Sequence, residues 1–153
     1  MKNIILVFLL FLLCSCGYTS IYKNQKSQDF KINIIGMTGD DEINNLIKNE
    51  LKFYSDRNSN NRYDITISSN YQKIVVSKNS AGVATDFKLL ADIKITVDTN
   101  DGNNNILNFS ENINIKNNSN SFEQRNYERN IKKNFASSIR DNFIVKIFNL
   151  NDN

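Results

Sequence analysis

DFKLLADIKITVD, residues 86–98, is the most regular segment of this sequence, and the rest of the fold can be built outward from it. Apolar and polar residues alternate along it, and Leu90 is the one apolar residue on the polar side. The apolar side consists of Phe87, Leu89, Ala91, Ile93, Ile95 and Val97. Because successive side chains of a β-strand point to opposite faces, this pattern predicts a long strand with one buried and one polar face.

A second strand is predicted directly after this segment. Asn100-Asp101-Gly102 is typical of a tight hairpin turn, since Asp-Gly accepts the positive φ angles that such turns require. The strand that follows has four apolar residues on its inward side: Leu107, Phe109, Ile113 and Ile115. Glu111 falls on the same side, so we expect it at a rim or a bulge and assign it no catalytic role.

Another strand is predicted before the segment, beginning at Tyr63. Its inward side consists of Tyr63, Ile65, Ile67 and Tyr71. The alternation fails at Ile74-Val75-Val76, which indicates a bulge or an extension beyond the main sheet. Ser77 to Ala84 is predicted to be a loop and a possible contact region, because loops on a rigid scaffold often carry recognition.

The N-terminal part of the domain is predicted to be a strand followed by a helix. Phe30, Ile32 and Ile34 alternate with polar residues, and Gly36-Met37-Thr38-Gly39 is interpreted as the connection. The helix has Asp40 or Asp41 as its cap. Its apolar face consists of Ile43, Leu46, Ile47, Leu51 and Tyr54. A glycine-rich loop before a helix can bind phosphate, but no lysine follows this one, so an ordinary connection is the better interpretation.

The last predicted helix runs from a capping box of Ser121 and Gln124 to about Phe148. Its apolar stripe recurs every four residues and consists of Tyr127, Ile131, Phe135, Ile139, Phe143 and Ile147. The opposite side has six basic residues, Arg125, Arg129, Lys132, Lys133, Arg140 and Lys146, against the acidic Glu123, Glu128 and Asp141. Such a face is usually only solvated, but it is also a place where an anionic lipid or phosphate could bind.

These elements predict an α+β fold, a two-layer sandwich with the order β-α-β-β-β-α. The strand-helix-strand crossover makes the first two strands parallel, and the short connections make the last three antiparallel. Each strand has one apolar face, so both helices should lie on one face of a four-stranded mixed sheet. The other face of the sheet should be polar and uncovered.

The N-terminal residues resemble a bacterial lipoprotein signal. Lys2 and an apolar run from Ile4 to Leu13 precede Cys16, with Leu13 and Ser15 at lipobox positions. We therefore expect residues 1–15 to be removed, Cys16 to be lipidated, 16–29 to be a tether and 30–150 to be a single domain. An ordinary secretory signal is the alternative. Gly17 is not the aspartate of the usual inner-membrane retention signal, which favours the outer membrane.

Composition excludes several chemistries. The chain has no histidine, and Cys14 is expected to be lost with the signal, so catalysis and metal binding through His or Cys are not available. We expect no cofactor and no metal. Removing Lys2 leaves 18 basic and 16 acidic residues, which is too even a balance to predict nucleic-acid binding.

Taken together, these features resemble the LPS-assembly lipoprotein family LptE. The resemblance rests on Cys16-Gly17-Tyr18, the order of the elements, the strand beginning near Asp86, the Asp101-Gly102 turn and the last-helix pattern around Glu128. Ser20 stands where many members have proline, and Asp86 where many have arginine.

The resemblance implies a non-enzymatic protein that partners and plugs an LptD-like outer-membrane β-barrel, partly inside its lumen, helps that barrel to assemble and helps to deliver lipopolysaccharide to the outer leaflet. The lumen of such a barrel is polar, which suits a polar sheet face. Lys73, Lys78 and Arg125 are predicted as possible contacts to lipopolysaccharide or another anion, since their charges can pair with phosphates.

The sequence is compatible with two other functions. The first is a lipid-anchored adaptor or accessory subunit of another envelope transport or cell-wall machine. The second is a lipid-anchored hydrolase that uses paired carboxylates such as Asp40 and Asp41, or Asp92 and Asp98. These carboxylates lie at a predicted helix cap and on a predicted exposed strand face, where capping and solubility explain them.

Overall fold

The computed structural model describes residues 30–98 and 104–150. The elements in chain order are β1 (Phe30–Gly39), α1 (Asp41–Ser55), β2 (Asn61–Lys78), β3 (Ala84–Asp98), β4 (Asn104–Lys116) and α2 (Ser121–Leu150). This is the predicted order β-α-β-β-β-α, and the α+β class is confirmed. The predicted lipidation site Cys16, the tether and the Asp101-Gly102 turn lie outside the described residues.

The four strands form one mixed sheet in the order β1-β2-β3-β4. β1 runs parallel to β2, with Phe30 beside Asn61, as a strand-helix-strand crossover requires. β2 and β3 are antiparallel, with Ile67 opposite Ile95, and β4 continues the meander with Leu107 opposite Ile95. The predicted topology is therefore confirmed in detail.

The core lies between one face of this sheet and the two helices, and its buried residues form a single cluster. β3 contributes the central layer, Leu89, Ala91, Ile93, Ile95 and Val97. α2 contributes Ile131, Phe135, Ala136, Ile139, Phe143, Ile144 and Ile147, and α1 contributes Ile43, Ile47 and Leu51. Each fully buried large apolar side chain stabilises the fold by about 1.5–3 kcal/mol. The opposite face of the sheet carries no helix in the described part of the chain.

One prediction about the first connection is wrong. Gly36 to Gly39 is not a loop but the end of β1, which pairs with β2 as far as Ser69. A bulge at Ile35 shifts the register, so that Met37 falls opposite Ile67. Alternation of side chains is interrupted at such a bulge, which is why the pattern looked like the end of the strand.

The helix caps are partly as predicted. Asp40 is the N-cap of α1, and its Oδ1 accepts a hydrogen bond from the backbone N–H of Ile43 at 2.8 Å. For α2 the predicted Ser121 cap is off by one residue. Asn120 Oδ1 accepts from the N–H groups of Phe122 at 3.0 Å and Glu123 at 3.3 Å, so asparagine satisfies these donors instead.

Three residues that the pattern placed inward are only partly covered. Ile113 is 39% exposed because β4 is an edge strand with a neighbour on one side only. Tyr127 is 51% exposed because it lies in the second turn of α2, ahead of the buried stripe. Glu111 is half-buried at the rim, pairs with Ala91 without a bulge, and accepts a hydrogen bond from Ser138 Oγ at 2.6 Å.

The irregularity predicted at Ile74-Val75-Val76 is present. The register between β2 and β3 shifts between Val75 and Ser77, which leaves Val76 as a bulged residue. β2 nevertheless continues to Lys78, so the predicted loop from Ser77 to Ala84 shortens to the residues between Lys78 and Ala84.

None of the helices in the described ranges combines the length and the apolar character needed to cross a membrane.

Candidate functional site

The uncovered face of the sheet presents hydrogen-bonding side chains in rows that cross the strands. In one row Ser68 lies opposite Lys94, which lies opposite Asn108. In the next, Asn70 lies opposite Asp92, which lies opposite Ser110. These six residues line a shallow depression of about 330 Å³ at the centre of the face. Hydroxyl, amide and charged groups of both signs therefore line this depression.

Charge on this face is mixed. Its basic residues include Lys88, Lys94 and Lys116, and its acidic residues include Asp64, Asp86, Asp92 and Asp98. At one corner Asp64 accepts hydrogen bonds from Arg62 Nε at 2.7 Å and Asn33 Nδ2 at 2.9 Å. These two bonds hold the pKa of Asp64 below its usual value. Apart from Ile74, Leu90 and Ile106, the face is therefore polar, without one dominant sign of charge.

A long hairpin extends beyond the first strand. β1 makes its last pair with β2 at Ser69, so the part of β2 from Asn70 to Lys78 has no neighbouring strand on that side among the described residues. We call residues 73–86 the distal hairpin. It exposes four aliphatic side chains: Ile74, Val75, Val76 and Val83. This concentration of exposed apolar residues on a projecting element is typical of a contact surface.

The turn of the distal hairpin is well braced. Asn79 Oδ1 accepts hydrogen bonds from the N–H groups of Ala81 and Val83, each at 3.0 Å. The N–H of Asn79 also donates to the Val83 carbonyl at 2.9 Å. Gly82 has a φ of 79°, a conformation that favours glycine. These contacts consequently fix the conformation of the turn that holds Val83.

A cluster of hydroxyls and one carboxylate lies at the base of this turn. Ser77 and Thr85 both donate to Asp86 Oδ2, the latter at 2.8 Å, and their own hydroxyls are 2.9 Å apart. These hydrogen bonds hold the pKa of Asp86 below its usual value. The Asp86 carboxylate thus accepts from a hydroxyl of each strand, and these hydrogen bonds brace the two strands.

The three predicted anion contacts lie in different surroundings. Lys73 is on the helix side of β2, where its ammonium pairs with Glu128 of α2 and lies 4.2 Å from the centre of the Phe87 ring. Lys78 is exposed at the end of β2, and Arg125 is exposed near the start of α2. Lys73 and Lys78 are about 17 Å apart along the strand. The fold therefore places all three toward one end of the molecule but does not gather them into one site.

Part of the basic side of α2 is neutralised within the domain. Lys132 pairs with Glu42 at 2.5 Å, and Arg140 lies 3.5 Å from Glu50. Lys146 lies 4.6 Å from the centre of a ring of β4, that of Phe109. Three other basic residues, Arg125, Arg129 and Lys133, are exposed and form no ion pair within the described part of the chain.

The Tyr71 ring lies 4.1 Å from the Lys132 ammonium. Its hydroxyl gives a prediction for high pH. Burial, together with the charges of Glu128 and Glu42, raises the pKa of Tyr71 to about 12 from 10.0. The folded-state pKa lies above the unfolded one, so this contribution to stability is complete below pH 10.0 and is lost as the pH rises through about 12. We expect Tyr71→Phe to remove the latest component of a tyrosinate absorbance titration.

Near neutral pH the same variant should change the free energy of unfolding by less than about 0.5 kcal/mol, because the Tyr71 hydroxyl has no hydrogen-bond partner in the described structure. Tyr127→Phe, at an exposed position, is the control and should leave the late component in place. Persistence of that component in Tyr71→Phe would contradict the prediction.

Sequence reasoning missed Ser69, which is only 6% exposed. Its hydroxyl accepts from the Asp40 N–H at 3.1 Å and donates to the Asp40 carbonyl at 3.2 Å, so β2 fixes the start of α1. The signal was present, since Ser69 shares the alternation of Ile65 and Ile67. Lys73 follows the same alternation, which explains why it reaches the helix side.

The residues 30–98 and 104–150 hold no group of three or more Cys, His, Asp or Glu side chains that could bind a metal ion. Asp92, one of the paired carboxylates of the alternative hydrolase, is exposed on the sheet face.

Solved structures share this fold. Rare lipoprotein B from Shewanella oneidensis superposes with a TM-score of 0.57 at 12% identity, over 78% of this chain and 99% of that one. A protein described as a lipoprotein from Caulobacter crescentus superposes with a TM-score of 0.53 at 12% identity, over 75% of this chain and 85% of that one. The neighbours have the fold that the resemblance to LptE predicts. No protein-family model and no curated protein sequence matches the chain.

Proposed function

We propose that this chain is an outer-membrane lipoprotein of the LptE type, anchored through Cys16, that partners an LptD-like β-barrel in lipopolysaccharide delivery. The fold shared with rare lipoprotein B supports this proposal, as do the lipobox-like residues before Cys16. The domain would lie on the periplasmic side or within the barrel lumen.

The observation that carries the proposal is the uncovered polar face of the sheet. Both helices lie on the other face, and the exposed rows hold Ser, Thr, Asn and Gln side chains with charges of both signs. The lumen of a large outer-membrane barrel is lined with polar side chains. A hydrogen-bonding face of four strands suits such a wall, since polar groups of the two surfaces can pair with each other.

The distal hairpin suggests how the protein would bind lipopolysaccharide. Its exposed aliphatic residues suit acyl chains, and Lys78 at the end of β2 suits a phosphate of the lipid. Arg125 is exposed near the start of α2 and is a second candidate for an anion contact. Lys73 is retained as a weaker candidate, because binding an anion would compete with its pairing to Glu128.

The first test is the identity of the partner. A C-terminally tagged chain would be purified from detergent-solubilised envelopes and its partners identified by mass spectrometry. We expect stoichiometric recovery of a large outer-membrane β-barrel. Recovery of an inner-membrane permease or a cell-wall enzyme would instead favour an adaptor of another envelope machine.

Photo-crosslinking then tests which face meets the barrel. Asn70 and Asn112 lie on the uncovered sheet face, and Asn130 and Asn134 are exposed on α2, so the same residue type can be replaced by the photoreactive residue on both sides. We expect crosslinks to the barrel from the first pair to exceed those from the second. Equal crosslinking from both pairs, with the complex intact, would contradict the role of the sheet face.

We also propose that the protein has no enzymatic role. Asp92→Asn and Asp98→Asn should leave lipopolysaccharide delivery nearly unchanged and alter the free energy of unfolding by less than about 0.5 kcal/mol each, because neither side chain is buried. Delivery would be followed by surface labelling of lipopolysaccharide. Its loss in either variant, with the fold and the complex preserved, would favour the hydrolase considered above.

A further inference from the structure

A groove of about 460 Å³ runs along the outer edge of β1, beside α1. Four consecutive residues of β1, from Lys31 to Ile34, line it. Because consecutive side chains of a strand point to opposite faces, such a run borders one groove along the main-chain edge of the strand. β1 is an edge strand, so no other strand of the described sheet pairs with the hydrogen-bonding groups of this edge.

The other wall of the groove is one side of α1 and its C-cap. The residues that line it recur with helical spacing over about two turns, and they are Lys48, Asn49, Lys52, Ser55 and Asp56. The end of α1 lies beside the start of β1, where the ring of Tyr54 stacks on that of Phe30 at 5.4 Å. The groove therefore lies between an open strand edge and a helix that runs antiparallel to it, over about 10 Å of β1. Extended polypeptides bind to open sheet edges by adding a strand to the sheet.

The chain arrives at this edge from its N-terminal side. Phe30 begins β1, and the fourteen residues 16–29 precede it. Tyr18-Thr19-Ser20-Ile21-Tyr22 consists of aromatic and β-branched residues around one serine, a composition that favours a strand. Seven polar residues then separate Tyr22 from Phe30, more than the about two to five that a hairpin loop commonly has. The chain is therefore long enough to reverse its direction and lie beside β1.

We propose that residues 18–22 pair with the outer edge of β1 and occupy the groove as a fifth strand. The short connection to Phe30 makes this pairing antiparallel. The segment belongs to the same chain, so its effective concentration at the edge is in the millimolar range and even weak strand pairing is populated. A separate polypeptide has no such advantage.

The side chains of the segment suit the helix wall. Every second residue of the added strand faces α1, which is either Ser20 between two tyrosines or Thr19 with Ile21. Both sets place large side chains beside Lys48 and Lys52, whose aliphatic stems can cover them while the ammonium groups stay in water. Elsewhere in this fold lysine ammonium groups lie 4.1–4.6 Å from the centres of aromatic rings, at Lys73, Lys132 and Lys146.

The pairing would decide where the expected lipid leaves the domain. A free segment of fourteen residue steps lets Cys16 lie up to about 50 Å from Phe30. With residues 18–22 paired, Cys16 is two residues from the sheet, within about 7 Å, and lies toward the Gly39 end of β1. The added strand then holds the domain close to the membrane in one orientation. This consequence, unlike the pairing itself, rests on the lipidation of Cys16 proposed above.

Disulfide scanning of the full-length chain, solubilised from envelopes in detergent, tests the pairing. Five variants, from Thr19→Cys to Lys23→Cys, are each combined with Asn33→Cys, and mass spectrometry identifies which cysteines are joined. We expect one position to react best and its two neighbours about tenfold more slowly, because their side chains point to the opposite face. With Lys31→Cys in place of Asn33→Cys, the best position should move two residues later, as an antiparallel register requires.

A pair of prolines gives a second test. Ser20→Pro with Ile21→Pro removes one N–H that points to β1 in any register, because the N–H groups of successive strand residues point to opposite sides. We expect crosslinking of a matched cysteine pair outside these two positions to fall about tenfold. The matched control, Gln25→Pro with Lys26→Pro, lies in the connecting residues and should leave it unchanged. Asn112→Cys on β4, at the other edge of the sheet, should crosslink with none of the five positions.

The possible results separate the occupants of the groove. Equal crosslinking at all five positions with both partners would show an unpaired segment and overturn the proposal. Disulfide-linked dimers of Asn33→Cys alone would assign the edge to a second copy of the chain and overturn it as well. Neither result bears on the barrel partner, which affinity purification identifies, so the two proposals fail separately. Absence of lipid on Cys16 in the same spectra would overturn the orienting role.

Discussion

Replacement of Gly39 by alanine is expected to destabilise the domain by about 3–5 kcal/mol, a large share of the stability of an ordinary domain. Gly39 has a φ of 98°, in the region that side chains with a β-carbon rarely adopt. A β-carbon built there would lie 1.7 Å from the backbone oxygen of Ser69. Because the obstructing atom belongs to the backbone of β2, it cannot move aside as a flexible side chain would.

The effect should spread to the start of α1. Asp40 follows Gly39 and is held by Ser69, whose hydroxyl exchanges hydrogen bonds of 3.1 and 3.2 Å with the Asp40 backbone. Displacing β1 from Ser69 to admit a methyl group would break these bonds and move the N-cap. Two costs to the free energy of unfolding therefore add in this variant: the strained backbone at residue 39 and the loss of the hydrogen bonds between Ser69 and Asp40.

Two other glycines are matched controls. Gly82→Ala tests the positive φ alone, since its φ is 79° and no atom lies within 4 Å of the added carbon, and should cost about 1–2 kcal/mol. Gly36→Ala would meet Thr66 at an ordinary 3.5 Å and should cost less. Urea unfolding followed by circular dichroism gives the three values. A Gly39→Ala cost no larger than that of Gly82→Ala would show that β1 and β2 separate freely.

The second large effect is expected for Phe30→Ala, which should destabilise the fold by about 3–5 kcal/mol. Phe30 is 1% exposed, although it is the first residue of β1. Its ring stacks on Tyr54 at 5.4 Å and meets the edges of Tyr63 at 5.9 Å and Phe148 at 5.5 Å. It therefore joins the start of two strands to the ends of both helices, and its loss leaves a cavity among aromatic rings.

Phe53→Ala is the control for this prediction. The ring has the same size and lies on the same end of the domain, but it is 65% exposed, so its removal should cost less than about 1 kcal/mol. Both variants can be compared in one series of urea denaturations with the wild-type protein. Similar costs for the two phenylalanines would mean that the aromatic cluster around Phe30 closes up after truncation.

The core of the fold was readable from periodicity. The alternation of residues 86–98 predicted the buried face of β3, and the four-residue repeat predicted the buried stripe of α2, because each pattern follows directly from backbone geometry. The cap at Asp40 was also predictable, since its side chain acts on N–H groups only a few residues away. The same kind of local rule placed the cap of α2 one residue too late, at Ser121, where Asn120 caps the helix.

The larger errors lie where a partner far away along the chain decides the structure. Residues 36–39 form a strand because β2 continues beside them. Lys73 forms an ion pair because α2 packs against β2 with Glu128 next to it. Neither the strand at residues 36–39 nor the ion pair of Lys73 can be predicted from the residues near them in the sequence. The same holds for the candidate contact surfaces. The polar sheet face follows from the alternation in the sequence. The distal hairpin follows from the unequal lengths of β1 and β2, which only the structure shows.

The sequence by itself determined the order of the elements, their buried faces and the polar character of the open sheet face, because side-chain direction follows from a period of two or 3.6 residues. Only the tertiary structure decided which charges are neutralised. Lys132 is paired with Glu42, while Arg125, Arg129 and Lys133 of the same helix form no ion pair in the described residues. Pairing of charges depends on distance, and folding brings together residues that are far apart along the chain.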